Sequence, residues 1–193
     1  MKKPLLFIIS GPSGAGKTTI LDRLIRKKFF KENFILAVSC TTRCPRPGEK
    51  EGRDYFFLDQ KTFLKRRKKG FFLETQKVAG NYYGTPGFFL ETAAEESKDI
   101  IICIDVKGAL QVQKTVSEES LISVFISAPD EQELLNRLKK RKEKKEVIAE
   151  RIKLAKKELQ YLKYYGYLVI NENLEESIKN LEIILKAERM RRR

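Results

Sequence analysis

Apolar positions along this chain follow two rhythms. Leu5 to Ile9, Ile100 to Ile104 and Leu121 to Ile126 are short, largely apolar runs, as expected of strands covered on both faces of a parallel sheet. Tyr167 to Ile170 predicts a fourth strand. Elsewhere the period is helical. Ile20, Leu21, Leu24 and Ile25 share one face of a helix expected over Thr18 to Lys28. "KGALQVQKT" follows the second strand, and "DEQELLNRLKK" follows the third with Asp130 as its N-cap. Leu174 to Met190 reads as a long amphipathic helix. Strand and helix alternate, so the expected fold is α/β, with a parallel sheet flanked by helices.

Two stretches break the alternation. Phe34 to Thr85 is aromatic, turn-rich and strand-like ("RDYFFLD", "GFFLE", "GNYYGTP"), which predicts a small mixed insertion with its own sheet. Residues 137–150 are almost wholly charged and read as an exposed flap between helices. No internal repeat or long linker interrupts the 193 residues, so one domain with two appendages is expected.

Composition narrows the chemistry. The chain is 41% apolar and 34% charged, as a soluble globular protein is, and no apolar run reaches the length of a membrane span. The apolar start breaks at Ser10-Gly11-Pro12, before a secretion signal can develop, so a cytoplasmic protein with reduced thiols is expected. Cys40 and Cys44 are spaced for zinc, but the chain has only three cysteines and no histidine, too few for a four-ligand cage. Without histidine, any chemistry must run on carboxylates, cations and positioning. The net charge of +14 suits phosphates. Much of it lies in lysine-rich helical text such as "LKRRKKG", and no nucleic-acid-binding signature accompanies it. Neither a nucleic-acid nor a membrane partner is expected.

The sharpest motif follows the first strand. Gly11-Pro12-Ser13-Gly14-Ala15-Gly16-Lys17-Thr18 matches G-x-x-x-x-G-K-[ST], with Thr19 next. Glycines let successive backbone N–H groups face one anion, and the helix that follows adds its dipole. Lys17 would reach the terminal phosphates of a nucleoside triphosphate, and the Thr18 hydroxyl would bind Mg²⁺. Asp105 ends an apolar strand, on the edge where α/β sheets place ligands; its rival role is to cap the next helix. In "SCTTRCPRPGEKEGRDYFF", Arg43 and Arg46 lie on a proline-stiffened loop, and guanidinium forks match phosphate oxygens. Tyr55 and Tyr83 add neutral hydroxyl donors. A cluster so confined suits one phosphate monoester rather than a nucleic-acid track.

Taken together, "GPSGAGKTT", "SCTTRCPRPGEKEGRDYFF", "FLETQKVAGNYYGTP", "IDVKGA" and "VINENLEESI" closely resemble guanylate kinases, in that family's order and over nearly the whole chain. The resemblance implies a P-loop NTPase core carrying a GMP-binding subdomain and a lid, with transfer of the ATP γ-phosphoryl to GMP (possibly also dGMP) and Mg²⁺ as cofactor. It places the core at 1–33, 91–130 and 165–193, the GMP-binding part at about 34–90 and the lid at about 131–164. It implies guanine contacts from Ser39, Glu74 and Thr85, phosphate contacts from Arg43, Arg46, Tyr55 and Tyr83, and an acceptor-side role for Asp105. Arg137, Arg141 and Arg151 resemble lid arginines that gather around the transferring group, and Asn171 stands where the family meets adenine. Chemistry agrees about Glu74, because guanine offers a ring N–H and an amine side by side to one carboxylate, whereas adenine offers a lone pair. The chain departs from the family at Cys103, where relatives often carry a carboxylate, and in a lid one residue short. A monomer is expected, a small homo-oligomer being compatible. Rival readings are a ribose 1,5-bisphosphate kinase, which would have no base to recognise, and a phosphopeptide-binding scaffold, which would not need Lys17.

Overall fold

Five strands lie side by side in one parallel sheet in the computed structural model, which describes residues 3–78, 80–140 and 145–192. They are β1 (Leu6–Ser10), β2 (Phe34–Leu36), β7 (Asp99–Cys103), β8 (Leu121–Ser127) and β9 (Tyr167–Ile170), in the order β2-β7-β1-β8-β9. The order reverses direction at β1, and the phosphate turn leaves from that strand, at a topological switch point. Both faces of β1 are covered. Phe7 and Ile9 join Leu21 and Leu24 of α1 (Lys17–Leu24) and Leu181 of α8 (Leu174–Met190) on one side. Leu6 and Ile8 join Ala93 of α4 (Phe88–Glu95) and Val112 of α5 (Val106–Thr115) on the other. Complete burial explains why β1 reads as unbroken apolar text.

A second, four-stranded sheet is built from β3 (Cys40–Thr41), β4 (Phe56–Phe57), β5 (Phe72–Val78) and β6 (Asn81–Pro86), in the order β4-β3-β6-β5. Helix α3 (Gln60–Lys68), capped by Asp59, lays Phe63 on this sheet, stacked 4.6 Å from Phe72 and 5.5 Å from Tyr82. The expected insertion thus has its own sheet, but it starts later than its text suggested. Phe34–Leu36 pairs in parallel with β7 in the main sheet, because Phe34 fills the core between Phe7 and Phe30.

Two further expectations need correction. The helix expected over Thr18 to Lys28 is broken: α1 stops at Leu24, and a separate α2 (Lys28–Asn33) follows an extended Lys27. The break lets Phe29 and Phe30 turn onto Phe34. Residues 137–150 are not a free flap. Their described part belongs to α6 (Glu131–Lys140) and α7 (Lys145–Leu159), which pack through Leu134, Leu138, Ile148 and Ala155. Leu138 is fully buried. The apolar residues sit at helical spacing inside the charge run, so the α6–α7 pair has an apolar seam that charge counting hides.

Candidate functional site

The phosphate turn is held open by its glycines and braced by its neighbours. Gly11 (φ 132°) runs so close to the Ile126 backbone that any side chain there would strike the carbonyl. At Gly14 (φ 96°) a Cβ would come within 2.9 Å of Leu134 and 3.3 Å of Leu138, so α6 lies directly against the turn. Lys17 leads α1 and folds back, its Nζ donating to Gly11 O at 2.5 Å and Pro12 O at 2.9 Å. Thr18 and Thr19 stand exposed on the same first turn. Pro12, Ser13, Ala15 and Gly16 complete the loop, with Ala15 N donating to Pro12 O at 3.1 Å.

Two arginines, one each from α6 and α7, reach this turn. Arg151 of α7 donates to Ser13 Oγ. Arg137 of α6 is engaged on three sides: Nε on Glu133 at 2.7 Å, Nη1 on Ala15 O at 3.4 Å and Nη2 on Asn171 O at 2.7 Å. Arg141 lies outside the described residues. Asn171 is buried just after β9, and its Nδ2 donates to Ala15 O at 2.8 Å. Its amide therefore ties the sheet to the phosphate turn, which the sequence did not foretell.

A second, polar pocket forms where the second sheet meets α5. Register places Glu74 on β5 opposite Thr85 on β6. Glu74 Oε1 accepts from Thr85 N at 3.1 Å and Thr85 Oγ1 at 2.9 Å, and Ser39 Oγ lies 3.2 Å from the same hydroxyl. Oε2 points at the first turn of α5, only 2.9 Å from where a Cβ on Gly108 would sit. Burial pushes the Glu74 carboxyl up to about 7; the bonds from Thr85 pull it back and the charge of Asp105 adds to the rise. Asp105 does cap α5, accepting from Gly108 N at 2.7 Å, and its charge is felt by Glu74 while that of Lys17 is felt by Asp105. Its capping role and its place in the site coexist.

Beside this pocket lies the cationic loop. Arg43 spreads its fork on Glu49, at 3.0 Å and 2.8 Å, and lies 5.5 Å from the Tyr55 ring centre. Tyr55 and Tyr83 meet edge to face at 6.0 Å, and burial raises the Tyr55 phenol to about 12, so it stays a neutral donor. Arg46 is exposed, and only its backbone N–H reaches Glu49, at 2.7 Å. Glu49 was missed by sequence reasoning, although an acid three residues after Arg46 in a tight proline–glycine turn is a readable signal. A phosphate would present to Arg43 the same pair of oxygens that Glu49 now presents. Cys40 is buried on β3, burial raising its thiol to about 11, while Cys44 is exposed. Among the described residues no group of three or more Asp, Glu or Cys side chains is arranged to hold a metal.

Glu158 of α7 was also missed. It is 9% exposed, and it lies within electrostatic reach of Lys17, Asp105 and Lys107. Its signal was its spacing, seven residues after Arg151 on the same helical face.

Comparison with known proteins decides the family. The guanylate kinase family model matches residues 2–188. The chain belongs to the guanylate kinase family. It is 41% identical over 188 residues to the guanylate kinase of Thermotoga maritima, covering 97% of this chain and 88% of that protein. It is 42% identical over 192 residues to that of Clostridium tetani, covering 99% and 89%. The crystal structure of guanylate kinase from Anaplasma phagocytophilum superimposes with a TM-score of 0.80 at 32% identity, covering 99% of this chain and 89% of that one. No helix among the described residues is long and apolar enough to cross a membrane.

Proposed function

We propose that this protein works as a guanylate kinase, transferring the γ-phosphoryl group of ATP to GMP to give ADP and GDP. The observation that carries this reading is the pairing of two pockets at one sheet edge. A phosphate turn with its lysine faces a buried carboxylate–hydroxyl pocket, with guanidinium and phenol groups beside it. Gly11 to Thr19 take the ATP phosphates, and Asn171 keeps that turn in place. Ser39, Glu74 and Thr85 read guanine, Glu74 accepting both donors of its edge. Arg43, Arg46, Tyr55 and Tyr83 hold the GMP phosphate, and Asp105 stands on the acceptor side.

Phosphoryl transfer asks for alignment and charge more than for covalent chemistry. A GMP phosphate oxygen is already a nucleophile, so the missing histidine is no obstacle. Lys17 and Arg151 stabilise charge on the departing ADP and the transferring group. Arg137 joins them only by releasing Glu133 or Asn171, so ATP binding and lid rearrangement are coupled in this reading. Mg²⁺ fits the donor set: the exposed Thr18 hydroxyl, together with ATP phosphates and waters, would supply the hard oxygen ligands that suit it. When bound, it neutralises phosphate charge.

The work divides among a core, an acceptor unit running from after Leu36 to about residue 90, and a lid of α6 and α7. The setting is the cytoplasm, in purine nucleotide metabolism. An ADP-release assay over GMP, dGMP, AMP, CMP, UMP and ribose 1,5-bisphosphate tests the reading. Turnover confined to the guanine nucleotides is expected, and equal turnover with the base-free acceptor would overturn it.

A further inference from the structure

Gly108 stands in the first turn of α5, three residues after the cap Asp105. Its φ is not positive, so its backbone would accept alanine without strain. Glycine is a poor helix former, and alanine there would favour the helix. What excludes a side chain is space. A Cβ would lie 2.9 Å from Glu74 Oε2, 3.2 Å from Asp105 Oδ1 and 3.3 Å from Glu74 Cδ. Gly84, Gly87 and Gly166 also lack a positive φ, but there the nearest atoms to a Cβ are backbone carbonyls, Phe72 or Leu73. At Gly108 they are the carboxylates of two acids.

Two acceptors therefore border the gap that Gly108 leaves. Oε1 of Glu74 already accepts from Thr85 N and Oγ1, whereas among the described residues nothing donates to Oε2. Asp105 Oδ1 takes one bond, from Gly108 N at 2.7 Å. Glu74 is buried. A buried carboxylate oxygen without a donor lowers stability, and an N–H of a ligand seated in the gap would satisfy it. A methyl group in the same gap would push Oε2 aside, because the far end of Glu74 is the part free to move.

We propose that Gly108 is a specificity-determining residue: its missing side chain leaves Glu74 Oε2 open to the N–H donors of an incoming guanine edge. The proposal rests on the reading of Glu74 as the guanine acceptor.

Gly108→Ala adds one methyl group. The GMP KM should rise about 10- to 100-fold, the loss expected when a charge-assisted bond is broken. The ATP KM, and turnover at saturating GMP, should stay within about threefold of wild type, as when only acceptor binding is damaged. IMP keeps the ring N–H but lacks the amine, so it has one bond to lose where GMP has two, and the preference for GMP over IMP should narrow. In Glu74→Asp the shorter acid leaves room for the methyl. Adding Gly108→Ala to that variant should change the GMP KM by no more than about twofold, the mark of two residues acting through one contact. Melting curves of Gly108→Ala should stay close to wild type, since only the end of a flexible side chain has to move. If the variant melts early, the comparison in the Glu74→Asp background still decides. An unchanged GMP KM with an unchanged preference over IMP would overturn the proposal, as would an equal loss for ATP or a full loss in the Glu74→Asp background. If wild type does not use GMP, the functional reading fails; if wild type uses GMP and Gly108→Ala matches it, the role of Gly108 alone fails.

Discussion

Glu74 gives the account a pH dependence of defined sign and size. Guanine's ring N–H and amine require an ionised acceptor, yet burial sets the Glu74 carboxyl to about 7. GMP should therefore bind the ionised fraction, and its apparent Kd should scale as one plus the ratio of protonated to ionised carboxyl. For a pKa near 7 that factor is about 11 at pH 6, about 2 at pH 7 and about 1.1 at pH 8, so affinity should weaken roughly tenfold from pH 8 to pH 6. The GMP phosphate itself titrates near about 6, in the same direction. Glu74→Gln separates the two, since its residual pH dependence reports the phosphate alone. That substitution also places an amide against two guanine donors. Losing two charge-assisted bonds, each worth roughly 1.5–3 kcal/mol, predicts a loss of about 10²- to 10⁴-fold in GMP affinity. Titration calorimetry of GMP into both proteins at pH 6, 7 and 8 supplies the numbers. Identical pH profiles for wild type and variant, or wild-type affinity in Glu74→Gln, would refute the reasoning.

Three other outcomes follow from the same geometry. Lys17→Ala should fold normally and lose at least about 10²-fold in turnover, checked by melting curves beside a coupled ADP assay. Arg43→Ala and Arg46→Ala should each weaken GMP by about 10- to 150-fold in calorimetry while ATP affinity barely changes. Cys40→Ser with Cys44→Ser should leave turnover intact, and a chelator should act only by withdrawing Mg²⁺; loss of zinc and activity together in that variant would make the loop a metal site.

What the sequence could reveal depended on how local each signal was. β1 and the phosphate turn were readable because burial on both faces and positive-φ glycines write themselves into consecutive residues. Ser39, Glu74 and Thr85, the proposed guanine readers, are not neighbours in sequence; strand register pairs Glu74 with Thr85, and a hydroxyl contact adds Ser39. Only the assembled motifs made them readable. The seam between α6 and α7 was hidden because Leu134, Leu138 and Ile148 are few among many charges, and helical spacing rather than composition marks them. The clamp on Arg137, the seat of Asn171 under Ala15 and the fork of Arg43 on Glu49 depend on three-dimensional proximity or rotamer choice. The break after α1 depended on where Phe29 and Phe30 find their aromatic partner.

The central claim is that one chain brings an ATP phosphate site and a guanine-reading acceptor site together. Following label from [γ-³²P]ATP in the presence of GMP and Mg²⁺ tests it most directly. Label should appear in GDP, AMP in place of GMP should accept little, and Glu74→Gln should lose the transfer to GMP. Label released only as inorganic phosphate, or transferred equally to AMP, would contradict it.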